Sequence, residues 1–384
     1  MSQLNQFSPG LTGIRALAAL MVLSHHIFAL AIPRVLSFSM GDWQVTYHWL
    51  FTCSWMGANV FFVLSGYLLA IPFVRHIEGQ GKRVETFEYL VRRVKRVVPA
   101  YWVQIIILCT VMYFMSALPS WQVIASHLFF LQNLQQNYAS AINGVYWTLP
   151  TEFGYYLLLP IFAAIACAWK TNSSRTWLLL CALLVVSAIA YRTLMQSVVA
   201  DAPVATRVYV LMQLPGLLDH FAIGMFLAWV HIVIPRPLSP RISDGLVIFG
   251  LSGIVVMMAL VDHFYLDYWN GHAMVYVGYT FTAAFIGAVV FGTAAAGRIS
   301  NALFANRPML FIGTISYSVY LWHIPILNWI LRYLDSVGVQ GDRLWWLIGF
   351  GVPLSFVAGS ASYYLVERPY LTPQVMSGIS NPTR

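Results

Sequence analysis

Charge is scarce in this chain. Only 9% of its 384 residues are Asp, Glu, Lys or Arg, whereas a soluble domain carries roughly a quarter. The mean hydropathy is +0.71, and 59% of the residues are hydrophobic. This composition excludes an ordinary soluble domain and indicates an integral membrane protein.

Cysteine is also rare, with four residues in the chain. They lie singly inside or at the edge of apolar runs, as Cys53, Cys109, Cys167 and Cys181. This arrangement matches neither a disulfide framework nor the ligand spacing of a metal centre. We therefore expect small core residues at these positions and no metal site.

Long apolar runs are abundant instead. Runs near 20 residues cross about 30 Å of hydrocarbon as helices, and the chain contains about ten of them. The sequence predicts an all-α membrane protein, a polytopic bundle of about ten transmembrane helices. The predicted spans are 11–32, 53–74, 98–117, 146–168, 177–196, 214–234, 245–263, 275–296, 309–331 and 344–366.

The basic residues fix the predicted orientation. If both termini are cytoplasmic, fifteen of the 21 Lys and Arg residues lie on the cytoplasmic side. Five lie on the exterior side, Arg192 among them, and Arg15 lies within the first span. This bias strongly favours that orientation in a multi-pass membrane protein. The net charge of +8 therefore needs no nucleic-acid partner to explain it.

Two connections are longer than bundle loops usually are: 75–97 on the cytoplasmic side and 118–145 on the exterior. The second includes a helically periodic stretch that fits a re-entrant or interfacial segment. Proline interrupts several spans, as Pro150, Pro215 and Pro325. Broken helices are tolerated where they face protein or a polar cavity, so these positions are candidate neighbours of a site.

The first span carries Arg15, His25 and His26 within its apolar run. A charge near the bilayer centre costs roughly 3 kcal/mol or more and usually marks a functional site. Eleven residues at 100° each bring His26 to within about 20° of Arg15 and about 16 Å along the axis. His26, on the same stripe as Arg15, is therefore a candidate general base, with a packing histidine bonded to a backbone carbonyl as the alternative. His25 fits the packing role better.

A cluster of cations precedes the third span, as Arg92, Arg93, Lys95 and Arg96. Positive-inside anchoring, contact with anionic lipid, or a clamp for a phosphorylated donor all explain such a cluster. Arg93 and Arg96 are three residues apart and share one face of a helix.

A carboxylate follows within the fourth span, at Glu152, where it needs a polar partner. Pairing with Arg15 or orientation of His26 are the two functional alternatives, beside a structural pairing. Structural roles are the better interpretation for Ser65 in the second span, for His220, and for His323 beside Pro325.

Together these segments resemble the membrane acyltransferase family 3, bacterial integral-membrane O-acyltransferases that act on glycans. The resemblance rests on GIRALAAL with a histidine eleven residues after the arginine, on FFVLSGY, RRVKRVVPAYW and a W-T-L-x-x-E box, and on YSVYLWH with a closing VERPY. In that box Thr148 and Pro150 replace commoner residues.

The resemblance implies transfer of an acyl group, usually acetyl from cytoplasmic acetyl-CoA, onto a sugar hydroxyl of a surface or exported glycan or a lipid-linked oligosaccharide. It implies that Arg15 and His26 are the essential pair, that Glu152 is the acidic residue, and that the Arg93–Arg96 pair, with Arg92 beside it, grips coenzyme A. It also implies a single domain over 1–384 with no appended soluble domain. His26 would act either as general base or as acyl carrier.

Two other classes of function are open at this stage. A proton-coupled transporter or lipid flippase would also place Arg, His and Glu inside the membrane, although no inverted repeat is visible. A structural or sensory membrane protein is the third alternative, and in it the polar residues are expected to be dispersed.

Overall fold

The computed structural model describes residues 8–31, 37–40, 43–169, 172–234, 238–268, 270–339, 341 and 343–371. The described chain is almost entirely helical, and ten of its helices are long and apolar enough to cross a membrane. This number confirms the prediction. The ten candidate spans are Gly10–Leu30, Trp49–Ile77, Thr86–Phe114, Thr148–Ala168, Ser173–Val198, Leu214–Val233, Pro240–His263, Ala273–Ala294, Arg307–Ser336 and Leu344–Tyr370.

The chain forms two compact units. The first comprises residues 1–58, 94–147 and 303–384, and the second comprises 59–93 and 148–302. Several helices that are distant in sequence therefore belong to the same unit. Long-range packing, rather than chain order, divides the protein.

The first unit is built around the first helix and one near the end of the chain. Its elements are α1 (Gly10–Leu30), a hairpin of β1 (Ser37–Met40) and β2 (Trp43–Thr46), α2 (Trp49–Thr52), the larger part of α4 (Thr86–Phe114), α5 (Trp121–Leu128), α6 (Gln136–Ala139), α15 (Arg307–Ser336), α16 (Leu344–Trp346) and α17 (Val352–Ser362). Two π-helical turns, Leu347–Gly351 and Tyr363–Glu367, flank α17. The β-hairpin is antiparallel, with Ser37 opposite Thr46.

Two glycines allow α1 to approach the end of α14 (Arg298–Phe304) and the start of α15 closely. A Cβ atom at Gly13 would overlap the carbonyl of Phe304, and one at Gly313 would overlap the carbonyl of Thr12. Small residues permit such contact between membrane helices. Farther along α1, Leu23 and Ile27 pack with Leu327 and residues of the last span in one buried cluster.

The second unit contains the remaining helices. These are most of α3 (Gly57–Ile77), the start of α4, α7 (Thr148–Ala168), α8 (Ser173–Val198), α9 (Val204–Leu211), α10 (Leu214–Val233), α11 (Pro240–His263), α12 (Tyr265–Tyr268), α13 (Ala273–Ala294) and most of α14 (Arg298–Phe304). Gly66 and Gly224 bring α3 and α10 together, since a Cβ at either position would clash with the backbone of the other helix.

Two sequence expectations need correction. The predicted loop over 75–97 is too long, because α4 begins at Thr86 and includes the basic cluster. Of the three prolines expected to interrupt spans, Pro150 and Pro215 lie in the first turn of their helices, where a missing N–H has no cost. Of these three, Pro325 alone lies in a helix interior.

Candidate active site

His26 contacts a second histidine within the first unit. The Nε2 atom of His323, on α15, lies 3.0 Å from Nδ1 of His26, and the two ring centroids are 5.0 Å apart. The same Nδ1 lies 2.9 Å from the carbonyl oxygen of Val22, one turn earlier on α1. His323 is 1% exposed, so the contact is buried on the α15 side.

The surrounding carbonyls fix the proton positions in this pair. A carbonyl oxygen only accepts hydrogen bonds, so Nδ1 of His26 carries a proton toward Val22. His323 Nδ1 likewise faces the carbonyl of Val319, at 3.2 Å. In neutral imidazoles this leaves His323 Nε2 as an acceptor for the His26 Nδ1–H group. The remaining nitrogen of His26, Nε2, then carries a lone pair.

Arg15 lies on the same stripe of α1, toward the other end of the helix. It interacts electrostatically with Glu367 at the end of the last span. Glu367 is 1% exposed and accepts a hydrogen bond from Arg96 Nη1 at 2.9 Å, and Ser318 of α15 donates another to it. Arg15 and His26 therefore both face groups carried by α15 or bonded to it.

The cationic cluster is divided between different partners. Arg92 is 47% exposed and lies 3.6 Å from Glu88, one turn earlier. Arg93 is half-buried, and its Nε atom has no hydrogen-bond partner among the described residues. Arg96 is paired with Glu367. Within the cluster, Arg93 Nε is thus a buried donor without a described partner, whereas Arg96 Nη1 is bonded to Glu367.

Glu152 belongs to the second unit, near the start of α7. Ser65 of α3 donates a 2.7 Å hydrogen bond to its Oε1 atom, and Tyr156, one turn later, makes another. Tyr156 also interacts electrostatically with Arg93. Ser65, interpreted from sequence as a packing residue, is thus a partner of the predicted acidic residue.

The second unit contains another buried ionic group, and the sequence analysis misplaced its arginine. Arg192, counted with the exterior charges, is 0% exposed and lies inside α8. Its Nη2 atom donates to Asp219 at 2.8 Å and to Thr280 at 2.9 Å. Asp219 in turn accepts from His220 Nδ1 at 2.8 Å. Hydropathy placed the charge near a helix end, whereas its partners on α10 and α13 hold it in the interior.

Comparison with known proteins identifies the family of this chain. A family model described as an acyltransferase domain matches residues 8–364. The chain belongs to this acyltransferase family.

Relatives within the family are distant in sequence. The O-acetyltransferase OatA of Staphylococcus aureus is 25% identical over 390 residues, covering 95% of this chain and 57% of the relative. The peptidoglycan O-acetyltransferase OatA of Listeria monocytogenes is 23% identical, covering 95% and 56%. The putative peptidoglycan O-acetyltransferase YrhL of Bacillus subtilis is 24% identical, covering 97% and 56%. The chain thus spans little more than half the length of these relatives, and no solved structure matches it.

The sequence interpretation gave a structural role to His323, the residue that the structure places against His26. It lies 297 residues from its partner His26, and nothing local in the sequence links them. One signal in the sequence could have indicated its importance. His323 lies two residues before a proline inside an apolar span, so an ionisable side chain is next to a break in a membrane helix. Among the described residues no group of three or more His, Cys, Asp or Glu side chains is arranged to hold a metal ion.

Proposed function

We propose that this protein is a membrane O-acyltransferase that moves an acyl group, most simply acetyl, from acyl-CoA to a hydroxyl of a bacterial surface or exported glycan. The observation that carries the proposal is the orientation of His26. Its Nδ1–H group faces Val22 and His323, and this leaves Nε2 as a base. Membership of the acyltransferase family supports the reaction class.

In the proposed reaction His26 Nε2 removes the proton from the acceptor hydroxyl while the hydroxyl oxygen attacks the acyl carbon of the thioester. The carbon–sulfur bond then breaks, and the proton passes from His26 to the departing thiolate. A positioned base of this kind accelerates transfer roughly 10²–10⁴-fold. His323 accepts a hydrogen bond from Nδ1–H and so stabilises the imidazolium that forms on His26.

Arg15 is proposed to stabilise negative charge on the reacting groups or to hold the donor. Glu367 and Arg96 set its electrostatic surroundings, and a low-dielectric setting strengthens each of these interactions. Glu152, held by Ser65, is proposed to act on the acceptor or on a polar group of the donor within the second unit.

Arg93 is the residue best suited to bind a phosphate of coenzyme A. Its buried Nε–H is unpaired within the described chain, and guanidinium groups bind phosphate through two parallel hydrogen bonds. Arg96 uses Nη1 for Glu367 and keeps its other N–H groups for an anionic group of the donor. Arg92 is exposed and supplies a more screened contact.

A glycan acceptor is supported by the names of the relatives: one is named a peptidoglycan O-acetyltransferase and another a putative peptidoglycan O-acetyltransferase. The intramembrane site favours an acceptor that reaches the bilayer, such as a glycan or a lipid-linked oligosaccharide.

The test uses the full chain in lipid nanodiscs with acetyl-CoA labelled in the acetyl group. Wild-type protein is expected to release free coenzyme A and to label an added muropeptide or polyprenyl-linked glycan, while the His26→Ala variant does neither. Rapid quenching followed by mass spectrometry separates direct transfer from an acyl-histidine intermediate. A wild-type protein that moves substrate across the bilayer without consuming thioester, whichever acyl donor is supplied, is a transporter and contradicts the proposal.

A further inference from the structure

The helical turn that carries His323 lacks one backbone hydrogen bond. Pro325 has no N–H group, so it cannot donate to the carbonyl oxygen four residues earlier, that of Leu321. Leu321 is 0% exposed. A buried carbonyl without a partner is destabilising, and His323 lies between Leu321 and Pro325.

Two side-chain amides from other elements supply the missing donors. Gln104 Nε2, on α4, lies 2.7 Å from the Leu321 carbonyl oxygen, and Asn143 Nδ2, in the segment before α7, lies 2.9 Å from it. Gln104 is 0% exposed and Asn143 is 3% exposed. A buried carbonyl with two lone pairs therefore has both of them satisfied.

Both amides are themselves held in place. Tyr146 donates a 2.7 Å hydrogen bond to Gln104 Oε1, which turns the amide nitrogen toward Leu321. Burial raises the pKa of Tyr146 well above its usual value, so this hydroxyl stays protonated as a donor. Tyr320, adjacent to Leu321, donates to the carbonyl of Val145 at 2.9 Å. The segment 143–146 is thereby fastened to the broken turn of α15.

We infer that Asn143 and Gln104 are positioning residues for the His323–His26 pair. By replacing the donor that Pro325 lacks, they hold the Leu321–His323 turn so that His323 Nε2 meets His26 Nδ1. The expected effect on catalysis rests on the proposed function. The placement of His323 by these two amides does not depend on it.

The test substitutes each amide by an apolar side chain of similar size. Asn143→Leu and Gln104→Leu are each expected to lower kcat for acyl transfer about ten- to a hundredfold, the range for a small misplacement of reacting groups. KM for acyl-CoA should stay within about twofold, because neither residue contacts the cationic cluster. Asn137→Leu, the same change at an exposed position of α6, is the matched control. If Asn143→Leu does not accumulate in membranes, Asn143→Ser removes the same bond.

Pro325→Ala makes the test specific. Alanine restores a backbone N–H opposite Leu321, so the Asn143→Leu/Pro325→Ala protein should recover most of the lost kcat. A double variant no more active than Asn143→Leu would overturn the inference. So would amide variants whose only defect is a lower unfolding temperature, with kcat per folded molecule unchanged.

A readout independent of turnover separates this inference from the proposed function. In ¹⁵N-histidine NMR spectra of the wild type, His323 should be a single tautomer protonated at Nδ1, and each amide variant should convert it to a mixture. An unchanged His323 signal in both variants would overturn the positioning role. If wild-type protein consumes no thioester but these spectra change as expected, only the proposed function fails.

Discussion

His323 and His26 form an imidazole pair, with 3.0 Å between Nε2 of the first and Nδ1 of the second. Each ring directs its Nδ1 toward a carbonyl oxygen one turn earlier on its own helix. Helical carbonyls therefore select the tautomers, and the close packing of α1 on α15 brings the rings together. The pair joins a polar residue of the first span to one of the ninth.

Replacing His26 by alanine should reduce acyl transfer by at least a hundredfold, because the base is lost. His25→Ala is the matched control. His25 is bonded to the carbonyl of Thr52 at 2.8 Å, on another face of α1, so its loss should change transfer by less than tenfold. Release of coenzyme A from nanodisc-embedded protein measures both. A greater loss of acyl transfer in His25→Ala than in His26→Ala would identify His25, and not His26, as the base.

His323→Gln should keep more activity than His323→Ala. The glutamine oxygen can still accept from His26 Nδ1–H, whereas alanine leaves that group with the Val22 carbonyl alone. We expect about a tenfold or greater loss for alanine and a smaller loss for glutamine, measured as kcat at saturating donor. Equal losses in the two variants would mean that His323 acts by its volume and not by its hydrogen bond.

Arg93 and Arg96 should differ in the kind of defect that they cause. Arg93→Ala is expected to raise KM for acyl-CoA about tenfold with little change in unfolding temperature, because Arg93 Nε has no partner among the described residues. Arg96→Ala should lower the unfolding temperature, because it leaves the Glu367 carboxylate buried without its ion pair. Thermal unfolding in detergent and donor titrations separate the two effects. A stability loss in both with no change in KM would contradict donor binding at this cluster.

The buried Arg192–Asp219 pair should be required for stability. Arg192→Leu leaves a carboxylate at 0% exposure, with an expected cost of about 3–5 kcal/mol. Arg175→Leu, at an exposed position of the same helix, is the control and should be nearly neutral. The yield of monodisperse protein and its unfolding temperature report the difference. Equal stability of the two variants would show that the pair contributes nothing net.

His127 should make the protein acid-sensitive. Burial lowers the pKa of His127, and a 2.8 Å bond from its Nδ1 to the Val123 carbonyl only partly opposes this effect. In the unfolded chain the pKa is about 6.5, so below that pH the unfolded state binds the proton first. The stability that neutral His127 contributes is complete above about pH 6.5. It is lost as the pH falls toward the lower pKa that His127 has in the folded protein. Replacing His127 by Phe should flatten the fall in unfolding temperature between pH 7 and 5.5. A slope identical to that of the wild type would exclude His127 as its source.

Much of the fold was predictable from the sequence. The ten spans follow from the length of apolar runs, which the thickness of a bilayer dictates. The start of α4 was missed because its first three turns carry the basic cluster, and a hydropathy window treats charged turns as a loop. Arg192 was misplaced for a related reason: composition records that a charge is present but not that a carboxylate on another helix compensates it.

The sequence by itself determined how many helices cross the membrane, which of them carry ionisable groups, and that Arg15 and His26 share one stripe of α1. These are local properties, set by hydropathy and by a period of 3.6 residues. Only the tertiary structure decided that His26 contacts His323 and that Glu367 forms an ion pair with Arg96. It also decided that Asn143 and Gln104 donate hydrogen bonds to the carbonyl that Pro325 leaves unpaired. Those pairings depend on how each helix is rotated about its axis and how deep it lies in the bundle. Rotation and depth are set by glycine contacts and by buried hydrogen bonds between distant segments.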